Sequence, residues 1–229
     1  MKTHSKIIAA SILAAIALNA QAATYLDSTG EIISGSHIDI SSVEVNNTAT
    51  DLIFKINLAG DPVATDWGKY MIGLDTTAGG DVAGNAWSRP IGMSSGMNYW
   101  VGSWADWGNG AEVYSYAGSW SLQNATYATP GGLSFSKDSS SVTITYPYAS
   151  LGLSPGSTFV FDVFTSGGGG ADGAIDALGN PAQSIANWND YYNSGGLVNQ
   201  YTIPAVPEPT ALALLGIGAS LVIGRIRRR

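Results

Sequence analysis

The sequence predicts an all-β protein: an antiparallel β-sandwich of jelly-roll or immunoglobulin-like type, preceded by a signal peptide and followed by a transmembrane helix. Three observations carry this. Between residues 23 and 205 apolar residues alternate at period two in short runs, and glycine-rich turns separate the runs at near-regular spacing. Outside the two ends, no helical pattern exceeds two turns. Short strands with such turns are the signature of sheet packed on sheet.

The strands follow in chain order. Ile38-Asp39-Ile40 and Val43-Glu44-Val45 open the domain as short strands. Leu52, Phe54, Ile56 and Leu58 alternate with Ile53, Lys55 and Asn57, as one buried face requires. Tyr70–Leu74, Tyr99–Trp104 and Glu112–Tyr116 come next. Leu133–Phe135 and Val142–Tyr146 flank Lys137-Asp138-Ser139-Ser140 as a hairpin. Pro147–Leu153 reads as one short helical turn, stopped by Gly152 and Pro155. Phe159–Phe164 is the most apolar run and so the central strand, and Val198–Ile203 closes the domain. Ser166-Gly167-Gly168-Gly169-Gly170 reads as a flexible or positive-φ loop. It is no phosphate cradle, since no Lys-Ser/Thr and no helix follow it.

Both ends read as targeting segments. Lys2 and Lys6 precede an apolar stretch from Ile7 to Ala20, and Ala20-Gln21-Ala22 supplies the small-x-small pattern of signal peptidase. Residues 1–22 are therefore expected to leave, with cleavage after Ala22. The core is short of the ~20 apolar residues of a comfortable membrane span. At the other end, the prolines of Val206-Pro207-Glu208-Pro209 forbid helix. Thr210–Gly224 is then uninterrupted apolar or small, ahead of Arg225, Arg227, Arg228 and Arg229. At about 1.5 Å per residue, a helix over 210–226 spans roughly 25 Å, and arginine side chains can snorkel across the remainder. Arginines stay cytoplasmic, so the Pro-Glu-Pro and everything before it lie outside.

That order of parts resembles the PEP-CTERM sorting signal, over residues 206–229. The resemblance implies recognition by an exosortase and removal of the helix near Pro207-Glu208-Pro209. It also implies an inner-membrane intermediate, then release or attachment at the cell surface or in an extracellular matrix. Bacteria with this system make exopolysaccharide, so a polysaccharide partner in a biofilm is implied too.

Without its two ends the chain is one domain, residues 23–205, a length that suits a single core. It holds sixteen acids against four bases (Lys55, Lys69, Arg89 and Lys137), a net charge near −12, where the whole chain is at −7. Such a surface repels phosphate backbones, which argues against nucleic acid and for neutral glycans or calcium. The absence of cysteine excludes disulfides, thiol catalysis and cysteine-ligated metals.

Several segments of this domain resemble a carbohydrate-binding-module family-nine-like sandwich. They are Ser36–Leu58 with Asp39-Ile40 and Asp51-Leu52-Ile53-Phe54, then Tyr70–Asp75, Tyr99–Trp104 and Tyr148–Leu153. Phe161-Asp162-Val163, Ser166–Gly169 and Ala174–Leu178 are similar to the C-terminal domain of glucodextranase-type enzymes. The likeness spans Asp27 to Ile203 and implies an accessory glycan binder or surface module without catalysis of its own.

The chain has seven tryptophans, whose flat faces stack on the C–H face of a pyranose. Trp100 and Trp104 share a strand face, and at least one of them belongs in the core. Trp87, Trp107 and Trp188 stand in polar, loop-like settings and are the carbohydrate-binding candidates. Arg89 is a fourth candidate, although a solvated surface charge is the preferred reading of it. Asp27, Glu31, Asp39 and Asp176 gather oxygen ligands close to turns, as calcium requires. Asp27-x-x-Gly30-Glu31 resembles the acidic turn of such modules, with Glu31 where an aspartate is expected.

No enzyme is expected. Loss of His4 leaves His37 as the one histidine on which a triad could rest. The leading expectation is an exported, exosortase-sorted glycan-binding protein. One alternative is a structural or adhesive surface protein with no small-molecule site. A second is a glycoside hydrolase-like enzyme, since sixteen acids offer many carboxylate pairs.

Overall fold

The structure, a computed structural model, describes residues 22–128 and 131–204. One sheet is built from β1 (Ala23–Leu26), β2 (Ile40–Asn47), β3 (Asp51–Leu58), β10 (Ser141–Pro147) and β9 (Ser134–Lys137), in that spatial order. The other runs β12 (Asp176–Ala177), β11 (Thr158–Ser166), β4 (Lys69–Asp75), β6 (Tyr99–Trp104), β7 (Gly110–Tyr116), β8 (Trp120–Ala125), with β14 (Asn199–Thr202) beside the first half of β11. Every pairing within these two sheets is antiparallel. The expected all-β, antiparallel architecture is therefore observed, and its two sheets are consistent with a sandwich.

Alternation sets its core. Leu52, Phe54, Ile56 and Leu58 turn inward from β3, and Phe159, Phe161 and Val163 from β11. Phe54 meets Phe161 edge-on at 5.3 Å, a favoured aromatic geometry. Polar contacts also tie the sheets. Tyr70 donates its hydroxyl proton to the His37 carbonyl at 3.0 Å, and Thr165 donates to the carbonyl of Ile38.

The opposite face of the second sheet is covered as well. Met71, Trp100 and Phe164 point away from the first sheet yet are fully buried. Their lid is a third layer formed by the segments 76–98 and, on either side of β12, 167–175 and 178–198. A short parallel pair, β5 (Ile91–Gly92) with β13 (Tyr192–Asn193), fastens these segments together. Met97 fills the space that bare Gly73 leaves, and Tyr192 packs edge-on to Phe164.

Two local expectations need correction, and a third holds. Ser36–Ile38 is a 3-10 turn, and the two short strands expected around it are one strand, β2, with a bulge after Ile40. In the glycine run 167–170 no φ is positive. Glycine is needed there for close approach: a Cβ on Gly167 would collide with Trp188, and one on Gly169 with Asp172. The helical turn after β10 appears as expected, at Tyr148–Leu151, with Gly152 left-handed at φ 70°.

Among the described residues no helix is long and apolar enough to cross a membrane. The signal peptide and the apolar helix expected over 210–224 lie outside the described residues.

Candidate functional site

Two sites emerge. The first is an open cleft of about 400 Å³ on the outer face of the second sheet, where the third layer stops. Its walls include Lys69, Trp87, Arg89, Trp104, Asp106 and Trp107. The backbone explains how indoles come to lie on a sheet. Gly102 and Gly110 occupy the same face of β6 and β7, and a Cβ on either would collide with Trp87 or Trp104, respectively. Both strands are thus bared where a ring lies on them. Trp87 and Trp104 sit 6.4 Å apart at 45°, and Tyr127 continues the row 6.2 Å from Trp104.

Charges in the cleft are spoken for. Lys69 Nζ donates to both carboxylate oxygens of Asp106, at 2.7 and 2.8 Å. Glu112 accepts from Trp87 Nε1 and the Tyr114 hydroxyl on one oxygen, both at 2.9 Å, and from the Tyr127 hydroxyl on the other at 2.5 Å. It thereby fixes the edges of three rings.

Trp107 forms the rim. It is the first central residue of the turn Asp106–Asn109, which the Asn109 amide closes onto the Asp106 carbonyl at 2.9 Å. Trp107 has φ 50° and Gly108 φ 89°, as in the type I′ turns that favour Asn-Gly. The indole is 96% exposed. A bulky residue with left-handed backbone and no packing to offset the strain points to a task outside the fold.

Of the sequence candidates, Trp87, Arg89 and Trp107 come together here and Trp188 does not. Arg89 is no solvated surface charge. It is buried, donating through Nη1 to Ser166 Oγ at 2.7 Å and the Asp172 carbonyl at 3.0 Å, and through Nη2 to the Gly167 carbonyl at 3.2 Å. Its guanidinium also lies 5.8 Å from the Trp87 ring centroid. It clamps the glycine loop to the cleft.

The second site is acidic. Asp27, Glu31 and Asp176 each offer a carboxylate oxygen, and these lie within 4.8 Å of one another. Ligands on opposite sides of a cation bound at about 2.4 Å stand about 4.8 Å apart, so these oxygens are close enough to share one. Gly30, at φ 85°, turns the chain between Asp27 and Glu31, and its amide donates to Asp39 Oδ2 at 2.8 Å. Asp176 is wholly buried on β12 and accepts the Ile40 amide at 2.6 Å. The other oxygens are orphans: Asp27 Oδ2, both Glu31 oxygens and Asp39 Oδ1 are buried without a hydrogen-bond partner. No ion pair among the described residues reaches them.

Burial pushes Asp176 up to about 8 and Asp27 to about 7, and raises Glu31 and Asp39. Mutual repulsion of the carboxylates adds to the rise. An all-oxygen, multiply charged, under-satisfied donor set fits a hard divalent cation. Asp162, fully buried beneath Ser194 and near enough to raise Asp27, belongs to the same neighbourhood.

Sequence reasoning missed Trp104, Lys69, Asp106, Glu112 and Tyr127 as site residues. His37, the residue on which a triad would rest, packs edge-on against Trp67 at 4.2 Å. It makes no side-chain hydrogen bond to a serine or carboxylate among the described residues.

Residues 205–229 match the PEP-CTERM protein-sorting motif. The chain is thus an exported all-β protein that is sorted by an exosortase at the membrane. No curated protein matches it.

Proposed function

We propose that the exported domain is a non-catalytic glycan-binding module that works at the cell surface or in an exopolysaccharide matrix. The observation that carries this reading is Trp107. An almost wholly exposed indole is held on a strained turn at the rim of a cleft floored by two more indoles. Stacked rings with neighbouring polar edges suit the apolar faces and hydroxyls of neutral sugars. Both cleft carboxylates are already engaged, Asp106 by Lys69 and Glu112 by three donors, which favours binding over hydrolysis.

The test is affinity electrophoresis and a glycan array with the exported protein. Retardation by a neutral polysaccharide that is lost in Trp107→Ala supports the reading. Silence on every glycan returns the protein to the structural or adhesive class, and release of reducing sugar makes it a hydrolase.

A second reading concerns the acidic site, for which the orphaned, buried oxygens speak. Asp27, Glu31 and Asp176, with Asp39 beside them, are proposed to hold calcium. The ion would fasten the chain before β2 to β12 in the second sheet. A melting temperature indifferent to both calcium and chelator would end that reading.

A further inference from the structure

The aromatic surface does not end at the cleft. Trp67 and Trp188, each 37% exposed, stand 6.3 Å apart at a tilt of 48°. The imidazole of His37 backs Trp67. A continuous run of contacts joins this pair to the cleft. The Trp87 indole, on the cleft floor, carries the Arg89 guanidinium against its face. Arg89 holds the Gly167 carbonyl, and the Trp188 ring lies against Gly167. The Trp188 carbonyl in turn accepts the amide of Gly173 at 2.7 Å, at the far end of the same loop.

Between the two aromatic groups lies the stretch Gly167–Gly170, whose last residue lines the cleft. Three residues reach at most about 11 Å. Gly168–Gly170 are exposed, and no atom stands within 4 Å of where a Cβ would be on Gly168 or Gly170. The loop is therefore a low saddle of bare peptide groups, which offer hydrogen bonds and raise no side chain. Neither Gly168 nor Gly170 has a positive φ, so conformational freedom does not account for the missing side chains.

We infer that Trp67 and Trp188 form a second sugar-contact site, and that one neutral polysaccharide chain crosses the glycine saddle to occupy both it and the Trp87–Trp104–Trp107 cleft. This rests on the glycan-binding reading and deepens it: the ligand is the interior of a polymer, bound side-on. Two contacts on one chain make the second effectively intramolecular, so affinity rises with chain length without any new contact chemistry.

The experiment uses neutral gluco-oligosaccharide ladders (cello-, laminari- and malto- series, disaccharide to octasaccharide) with the parent polymers, read by calorimetry on the exported protein. Affinity is expected to climb about tenfold or more between the short and long members of the series that binds. Trp67→Ala with Trp188→Ala should remove that climb and leave disaccharide binding as it was. Gly168→Glu, which touches neither aromatic group and meets open space, should do the same, with an unchanged melting temperature showing that the fold is intact. Trp107→Ala should weaken every length.

A flat length dependence in the wild-type protein overturns the second site and leaves the cleft reading standing. So does a climb that survives the double variant or Gly168→Glu. If no length of any series binds, the second site falls, and the cleft's glycan reading is decided by the array.

Discussion

The aromatic cleft and the acidic site sit in one domain and treat charge in opposite ways. In the cleft, Lys69 neutralises Asp106, Glu112 is saturated by three donors, and Arg89 is spent on the glycine loop. What faces outward is flat and apolar, with polar edges already fixed. At the acidic site the carboxylates have hydrogen bonds for only some of their oxygens, and no basic side chain among the described residues pairs with them. A finished surface can bind a neutral ligand without rearranging. An unfinished one raises the energy of the folded chain until something supplies positive charge. The two sites are therefore distinguishable by what their perturbation does: stability should follow the acidic site, and binding the cleft.

The largest expected effect is cation removal. At a calcium concentration about a hundredfold above its dissociation constant, binding contributes about 2.7 kcal/mol. For a domain of this size that is about 5–10 °C in melting temperature, which chelator should abolish. The sign with pH follows from the raised carboxylates. Metal-free, the folded chain holds protons more tightly than the unfolded one. Its stability therefore falls as pH rises from the ordinary carboxylate range, about 4, through the folded values of about 7 and 8. Calcium displaces those protons, so the shift it produces should be small near pH 5 and reach its maximum near pH 8. A calcium shift of equal size at both pH values would detach the cation from these groups. Asp39→Asn gives a second check: it should melt higher than wild type in chelator and gain less from calcium.

Next in size is Gly102→Val. Strand propensity favours valine here, but its side chain would occupy the space of the Trp87 indole. Overpacking of this kind costs about 1–3 kcal/mol, and displacing the ring should also abolish glycan retardation. This is a variant in which stability and binding move together, because the platform and the fold share a residue. A melt within 1 °C of wild type would show that Trp87 does not need the bared strand.

Trp107→Ala should separate the two properties completely. The indole buries almost nothing, so stability should stay within about 0.5 kcal/mol. Glycan affinity should fall about tenfold or more, the scale of one lost aromatic stack. A large loss of stability would mean that the turn matters for the fold and not for a ligand.

What could be read in advance divides along a similar line. The inward alternation at Leu52–Leu58 and the apolar run at Phe159–Phe164 lie on the strands that pack the sandwich, and there the pattern is the cause of the structure. Strand β8 went unseen because Trp120–Ala125 is an edge strand with few buried positions and hence little alternation. Strands β5, β12 and β13 are two residues each, too short to show alternation, and β5 and β13 also pair across most of the domain. The acidic cluster was foreshadowed by acids beside turns, of which Asp27, Glu31 and Asp176 do meet. Arg89 was picked out as a candidate, but its buried clamp was not legible, because the loop it holds lies 77 residues and more along the chain. The flatness of the cleft depends on Gly102 and Gly110 being opposite two indoles, a fact of register that no local motif expresses.

The smallest expected effect tests how finished the cleft is. In Glu112→Gln the side chain keeps its shape but loses its charge and one acceptor oxygen, while Trp87, Tyr114 and Tyr127 still present three donors. Tyr114 and Tyr127 can turn their hydroxyl protons elsewhere, and Tyr127 can reach water because it is exposed. The loss should therefore be near that of a single hydrogen bond, about 1 kcal/mol of stability. Burial together with the bond to Glu112 pushes the Tyr114 hydroxyl up to about 12, so its titration should move down in the variant, readable by ultraviolet absorbance. Glycan affinity should fall only a few-fold, because the rings stay where Gly102 and Gly110 seat them and merely lose the fixed edge. A loss as deep as that of Trp107→Ala would move Glu112 from holding the rings to touching the ligand, and would reopen hydrolysis as the function of the cleft.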